Sequence, residues 1–252
     1  MDAGGFIRDG YVAVRGAIDA VTVAACRDLI WEALAIRGVR EDDPTSWPSL
    51  VVLDDLGGGP FAAAAMVPAL TAAYDELIGP GRWSPLLRAG DAVVVRFPAE
   101  DRANASFHIE GSYEGPDGER WWVNVRSRAR GLFALFLFTD VGEDDAPTRL
   151  LAGSHLIVPR FLVPYGEAGT NADAQLWYPS TLGRPVVHAT GSAGDVFLCH
   201  PFIVHTATWP HRGTAPRMIA QPAVHVAEGF TLDGTDPSPV ARAIVAGLAT
   251  AD

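Results

Sequence analysis

Lysine is absent from this 252-residue chain, and all 19 of its basic residues are arginine. That excludes a lysine Schiff base as a catalytic device, and a bias so complete points first to codon composition. Cysteine is almost absent too. Cys26 and Cys199 stand far apart with no C-x-x-C pair, which excludes a disulfide scaffold and a structural zinc knuckle and leaves two buried reduced thiols. The longest strongly apolar run, Leu132 to Phe138, falls well short of the roughly 20 residues that span a bilayer, so no membrane partner is expected. The opening Met1-Asp2-Ala3-Gly4-Gly5 carries no basic region followed by an apolar stretch, and the expected location is cytoplasmic. Cations are also outnumbered. Thirty acidic residues against 19 basic give a formal net charge of -11, the wrong balance for nucleic acid, whose binding rests on clustered cations that displace counterions. A small-molecule substrate is the expected partner.

What is present describes a packed protein. Hydrophobic residues make up 48% of the chain and charged residues 19%, and no shift in composition divides it, so residues 1–252 are expected to form one domain. Near the start, Phe6 to Val14 alternates around Asp9-Gly10 and predicts a short strand leading to a helix. Asp19 is a good N-cap, and Cys26, Leu29, Ile30, Ala33 and Leu34 recur at helical spacing until Gly38. Residues 40 to 60 are rich in breakers and predict an irregular connection. The alanine-rich segment Phe61 to Ile78 predicts helix, interrupted at Pro68.

From residue 91 the pattern changes. Asp91 to Phe97, Trp121 to Val125, Gly131 to Val141, Pro185 to Ala189, Asp195 to His200 and Met218 to Val226 are short β-branched or aromatic runs between turn signals. Such spacing predicts a β-sandwich or jelly roll in a mainly β chain with flanking helices. Residues 160 to 184 are polar and punctuated by glycine and proline, suited to covering a pocket mouth. Pro237 to Leu248 predicts a terminal helix.

Within this frame, His108-Ile109-Glu110 is the sharpest chemical signal. On extended backbone, residues i and i+2 project to the same face, so one imidazole and one carboxylate can reach a single ion. His205, which follows the strand opened by Gly194-Asp195, is the candidate third ligand, with His200 as its rival. Two histidines and one carboxylate on one face of an octahedron leave three positions open, as in non-haem Fe(II) oxygenases. Arg217 lies twelve residues beyond His205, and a guanidinium there is suited to bidentate grip of a carboxylate. His211, beside Pro210 and Gly213, is read as exposed in a turn; His188 and His225 fit strand positions without an obvious partner. Arg126, Arg128 and Arg130 read as the solvated face of a strand.

These residues carry a resemblance. Phe107 to Tyr113, then Phe138-Thr139-Asp140-Val141, then Ala146 to His155, then Gly194-Asp195 through His205 to Arg217, follow the order seen in the phytanoyl-CoA dioxygenase family of Fe(II)/2-oxoglutarate oxygenases. The opening Asp9 to Val14 is similar to that family's N-terminal strand. The resemblance implies a double-stranded β-helix (cupin-like) fold, Fe(II) on His108, Glu110 and His205, and 2-oxoglutarate on Arg217 with a lesser contact from Thr148. The spacing to Arg217 favours His205 over His200, and His155, in the family's G-S-H turn, is not a ligand. The implied reaction uses O2 and 2-oxoglutarate to oxidise a C–H bond, by default to an alcohol, releasing succinate and CO2.

One position departs from the pattern: most relatives have aspartate where this chain has Glu110. A carboxylate at this position argues against halogenation, which needs that coordination site for chloride. The departure keeps open an inactive jelly-roll binding protein; a second alternative, a cupin-like metal enzyme that does not use 2-oxoglutarate, is opposed by Arg217 and Thr148. Trp47, Tyr113, Trp121, Trp122, Trp177 and Tyr178 are the aromatic candidates for a substrate pocket.

Overall fold

The computed structural model describes residues 1–54, 56–100, 106–118 and 121–249. Helix α1 (Ala3–Asp9) begins where the Asp2 side chain accepts from the Gly5 amide, and it ends at Gly10, whose left-handed φ of 87° no side chain adopts cheaply. The strand expected over Phe6 to Val14 is therefore divided. Its first half is helical, and only β1 (Tyr11–Val14) is extended. Helix α2 (Ala20–Ile36) starts at the Asp19 cap and buries Cys26, Ile30 and Leu34, as the spacing predicts, together with Val23, while Leu29 and Ala33 are half-buried. The irregular connection after it contains an unforeseen strand, β2 (Leu50–Leu53). Helices α3 (Gly59–Ala65) and α4 (Pro68–Ile78) are divided at Pro68 with a bend of 54°. No single helix among the described residues is long and apolar enough to cross a membrane.

The remaining strands are β3 (Val93–Arg96), β4 (Trp122–Val123), β5 (Leu132–Leu137), β6 (Arg149–Leu151), β7 (Thr170–Asn171), β8 (Val186–His188), β9 (Val196–Cys199), β10 (His205–Thr206), β11 (Arg217–Ala220) and β12 (Ala223–Val224). The larger sheet runs β1-β9-β5-β11-β3-β2, with β12 also on β5; the smaller runs β10-β6-β8, and β4 pairs with β7. All of these pairings are antiparallel. Two facing sheets that do not close into a barrel make this a jelly roll with flanking helices.

Strand alternation divides the core into two layers. Phe133, Leu135 and Leu137 of β5, Phe197 and Cys199 of β9 and Ile219 of β11 point between the sheets, against Leu150 of β6 and Ile203. Their neighbours Leu132, Ala134, Phe136, Val196, Leu198, Met218 and Ala220 point the other way, onto the helical layer. Each fully buried Leu or Phe contributes roughly 1.5–3 kcal/mol of burial free energy, so both faces of β5 resist substitution. The parity also has a functional consequence: residues 217 and 219 share a face, which sends the Arg217 side chain into the space between the sheets. Helix α7 (Pro239–Ala249) packs on α1, α4 and α5 (Val158–Leu162), while α6 (Tyr178–Thr181) lies in the 160–184 segment.

Candidate metal centre

His108 and His205 are joined by an antiparallel bridge in which each amide donates to the other's carbonyl, at 3.0 and 2.9 Å. Residues paired in this way carry their side chains on the same face of the sheet. The imidazole centroids are consequently 4.5 Å apart. Glu110, two residues after the bridge, brings its carboxylate to the same place. Its Oε1 lies 3.3 Å from His205 Nε2 and 3.8 Å from His108 Nε2, and one ligand atom from each of the three residues falls within 4.8 Å of the others.

The backbone also sets the imidazole tautomers. His108 Nδ1 donates to the Ser106 carbonyl at 2.9 Å and His205 Nδ1 to the Ile203 carbonyl at 3.1 Å, which leaves both Nε2 lone pairs directed at Glu110. His205 is buried and stacked on Phe133 with ring centroids 4.4 Å apart, whereas the His108 side chain is 40% exposed and forms the open side of the centre. Burial works against ionisation of Glu110, but the two imidazoles and Arg130 overcome it and hold the carboxyl well below its ordinary range. Burial lowers the His205 pKa. Burial opposes protonation of His108 too, but the neighbouring Glu110 carboxylate and the Ser106 carbonyl outweigh this and raise that pKa. The donor set and the spacing fit one octahedral metal ion with three positions open.

Beside the imidazoles lies a cavity of about 180 Å³ bounded by Arg96, Thr148, Thr206, Arg217 and Gln221, with Leu50, Val52 and Val94 as its apolar wall. No carboxylate lines it among the described residues, yet two guanidiniums do. Arg217 is 1% exposed; its Nη1 donates to the Ala146 carbonyl at 2.8 Å, and its Nε has no partner. Arg96, directly opposite Arg217 in the β11–β3 register and 9% exposed, has neither Nε nor Nη1 partnered and lies over the Trp209 ring at 4.3 Å. Burial depresses both pKa values, that of Arg96 to about 10, and their mutual repulsion adds to the effect at Arg217. Two buried like charges with orphaned donors are costly unless an anion joins them. The charge of the cavity suits an anion.

Sequence reasoning brought together His108, Glu110, His205, Arg217 and Thr148, and the fold places all five around this cavity and centre. His200 is excluded from it: the ring is fully buried, accepts from the Phe202 amide and contacts Phe6. His155 bonds the Ile7 carbonyl and likewise lies apart. Arg96 was missed, because only its register with Arg217 shows that its face of β3 is the cavity.

Arg130 was misread. The run Arg126 to Arg130 is no solvated strand face, because Ser127 and Ala129 have φ of 49° and 69° and turn the chain, burying Arg130 to 8% exposure. His211 is not exposed either; it is 2% exposed, and its Nδ1 accepts from Gly213. His188 has a partner in Glu143, and His225 in the Ala129 carbonyl. Of the six aromatics expected at a pocket, Tyr113 and Trp121 border cavities near the centre. Trp177 is wholly buried and Trp47 packs on Phe97. The 160–184 segment does reach the mouth, through Asp173.

Comparison with known proteins places these features in context. Residues 117–219 match the phytanoyl-CoA dioxygenase family. The match contains Thr148, His205 and Arg217; His108 and Glu110 precede it and are tied to the site by the bridge to His205. Among solved structures, the chain is similar to the epimerase SnoN in complex with Fe3+, alpha-ketoglutarate and nogalamycin RO (21% identity, 94% of this chain and 91% of that one, TM-score 0.55). It is also similar to the alpha-ketoglutarate-dependent carbocyclase SnoK from nogalamycin biosynthesis (18% identity, 89% and 82%, TM-score 0.52). HygX from Streptomyces hygroscopicus, with nickel and 2-oxoglutarate bound, is a third (17% identity, 86% and 82%, TM-score 0.51). At these identities the likeness is one of fold. No curated protein sequence matches the chain.

Proposed function

We propose that this protein is an Fe(II)/2-oxoglutarate-dependent oxygenase that oxidises, by default hydroxylates, a C–H bond of a small organic molecule with release of succinate and CO2. The observation that carries the reading is the juxtaposition of the His108, Glu110 and His205 donor set with a cavity that holds two buried, incompletely partnered guanidiniums and, among the described residues, no carboxylate. The family match and the shared jelly-roll fold support it.

When bound, the iron with its 2-oxo acid and O2 supplies the oxidising chemistry. The chain supplies position. His108, Glu110 and His205 would hold the ion with three donors, at a place that two cavities adjoin. Arg217 and Arg96 hold the distal carboxylate of the co-substrate, a planar charge that suits guanidinium better than ammonium. Phe133 and the apolar wall exclude water from that side. On the open side, the half-exposed Trp121 borders both a cavity of about 170 Å³ next to His108 and Glu110 and one of about 300 Å³ beyond it, where a substrate would enter.

The test is an anaerobic titration of metal-free protein with Fe(II) and 2-oxoglutarate, watching for the visible charge-transfer band of a chelated 2-oxo acid. A band that is present in wild type and lost in His108→Ala is the expected result. Its absence from folded wild-type protein would remove the reading in favour of a binding protein or a different metal enzyme.

A further inference from the structure

The two oxygens of Glu110 face different partners. Oε1 is the atom close to both imidazole Nε2 atoms, while Oε2 lies 3.9 Å from Arg130 Nη2. Arg130 is itself held: its Nη2 and Nε donate to the Gly111 carbonyl at 2.6 and 3.2 Å, so the guanidinium grips the residue next to Glu110 as well as facing its outer oxygen. The loop before Arg130 is built to deliver it. Buried Ser127 donates its hydroxyl to the Arg130 carbonyl at 2.8 Å, the Asn124 side chain accepts from the Arg128 amide at 3.0 Å, and two non-glycine residues, Ser127 and Ala129, take up positive φ. Backbone held in a sparsely populated region persists where surrounding contacts over-determine it.

We infer that Arg130 is a positioning residue for the metal centre: it retains Oε2 of Glu110 and thereby confines Glu110 to one ligand oxygen, Oε1. The inference rests on the proposed function and deepens it. A glutamate has one methylene more than the usual aspartate, about 1.5 Å of extra reach and one more rotatable bond, and an untethered carboxylate of that kind can swing or chelate through both oxygens. Chelation would consume one of the three positions needed by the 2-oxo acid and O2. A buried cation 3.9 Å from Oε2 opposes it by charge, and its bonds to the Gly111 carbonyl keep that cation in place. In this chain the longer side chain and the arginine behind it belong together, and an aspartate at the same position would end short of Arg130.

That pairing makes the test a double-mutant cycle. Metal-free wild type, Arg130→Gln, Glu110→Asp and the double variant are titrated anaerobically with Co(II), reading the dissociation constant and the visible d–d spectrum, which reports coordination number. Loss of a partner behind a metal ligand weakens metal binding about 10- to 100-fold, the expected effect of Arg130→Gln on wild type, together with a changed spectrum. In the Glu110→Asp background the same substitution is expected to change affinity by less than about threefold, because its partner oxygen is out of reach. Arg130→Lys keeps the charge but cannot serve Gly111 and Glu110 together, and is expected to fall between; it replaces the glutamine variant in the cycle if that fails to fold. Equal losses in both backgrounds, or no loss in wild type, would overturn the inference while leaving the metal centre intact. A wild-type protein that binds no Co(II) would remove the proposed function and this inference with it.

Discussion

Replacing Arg96 with methionine should move ligand-free stability and co-substrate affinity in opposite directions. Without an anion, Arg96 is a nearly buried cation with two unpartnered nitrogens, placed opposite a second cation, Arg217, on the neighbouring strand. Methionine keeps the apolar stem and removes the charge. The relief of unsatisfied buried donors is about 1–3 kcal/mol, against which the lost contact with Trp209 subtracts about 0.5–2 kcal/mol, so the variant gains on the order of 1 kcal/mol. For a chain of this size that is a rise of about 2–4 °C in Tm. Binding should respond the other way. A hydrogen bond between charged partners contributes about 1.5–3 kcal/mol, and its loss weakens 2-oxoglutarate about 10- to 150-fold. Scanning calorimetry of metal-free protein and isothermal titration with 2-oxoglutarate on Co(II)-loaded protein measure the two quantities. A variant that loses several degrees of Tm yet binds 2-oxoglutarate as wild type does would refute the reasoning and make Arg96 a structural residue.

Two other outcomes follow from the geometry. At Gly111 a Cβ would lie 2.6 Å from the Trp121 carbonyl carbon and against its backbone, so Gly111→Ala should cost about 1–3 kcal/mol of stability and also weaken Co(II), because the displaced segment begins next to Glu110; unchanged metal affinity would show that the centre is insulated from that clash. Burial opposes ionisation of Asp236, yet two Arg82 bonds of 2.8 Å and Ser238 pull its carboxyl down to about 2. With the folded pKa below the unfolded value of about 3.9, the pair's stabilisation is full above about pH 4 and is lost as pH falls through 2. The Tm gap between wild type and Asp236→Asn should therefore close on acidification, and a gap constant from pH 7 to 2 would contradict the assignment.

Legibility in the sequence followed the reach of local rules. Strand alternation made His108 and Glu110 readable as a pair, and turn signals isolated β3, β5, β8, β9 and β11. Helix α2 was legible from Asp19 and its apolar spacing, and the α3–α4 division from Pro68. What escaped depended on neighbours distant in sequence or on local exceptions. Strand β2 lies among breakers at the sheet edge, with Leu50 and Val52 partly exposed, and its pairing with β3 cannot be seen locally. Arg96 ends a valine run that reads as core on both faces; only the register with Arg217 shows that its face is the cavity. The alternation of Arg126, Arg128 and Arg130 suggested one strand face, but a period of two has no meaning where Ser127 and Ala129 take positive φ. Phe6 failed similarly, since the left-handed Gly10 separates a helix from a strand inside an alternating pattern.

The arrangement of charge further implies that metal and co-substrate assist each other's binding. Glu110 and Arg130 offset one another, which leaves the surplus of Arg96 and Arg217 facing the side of the centre where His108 and His205 stand. A divalent ion approaching alone meets two uncompensated cations, and a dicarboxylate approaching alone finds its cations but no metal for its 2-oxo end. Each partner removes what opposes the other, so 2-oxoglutarate should tighten Co(II), and Co(II) should tighten 2-oxoglutarate by the same factor, on the order of 5- to 150-fold as thermodynamic linkage requires. Succinate, which has both carboxylates but no 2-oxo group, separates the causes: it should reproduce the electrostatic part of the coupling and lack the part due to chelation. Titrating Co(II) with neither, with saturating succinate and with saturating 2-oxoglutarate measures all three. Identical Co(II) affinity under the three conditions would mean that Arg96 and Arg217 are screened from the metal, and the cavity would then have to be read as a site independent of it.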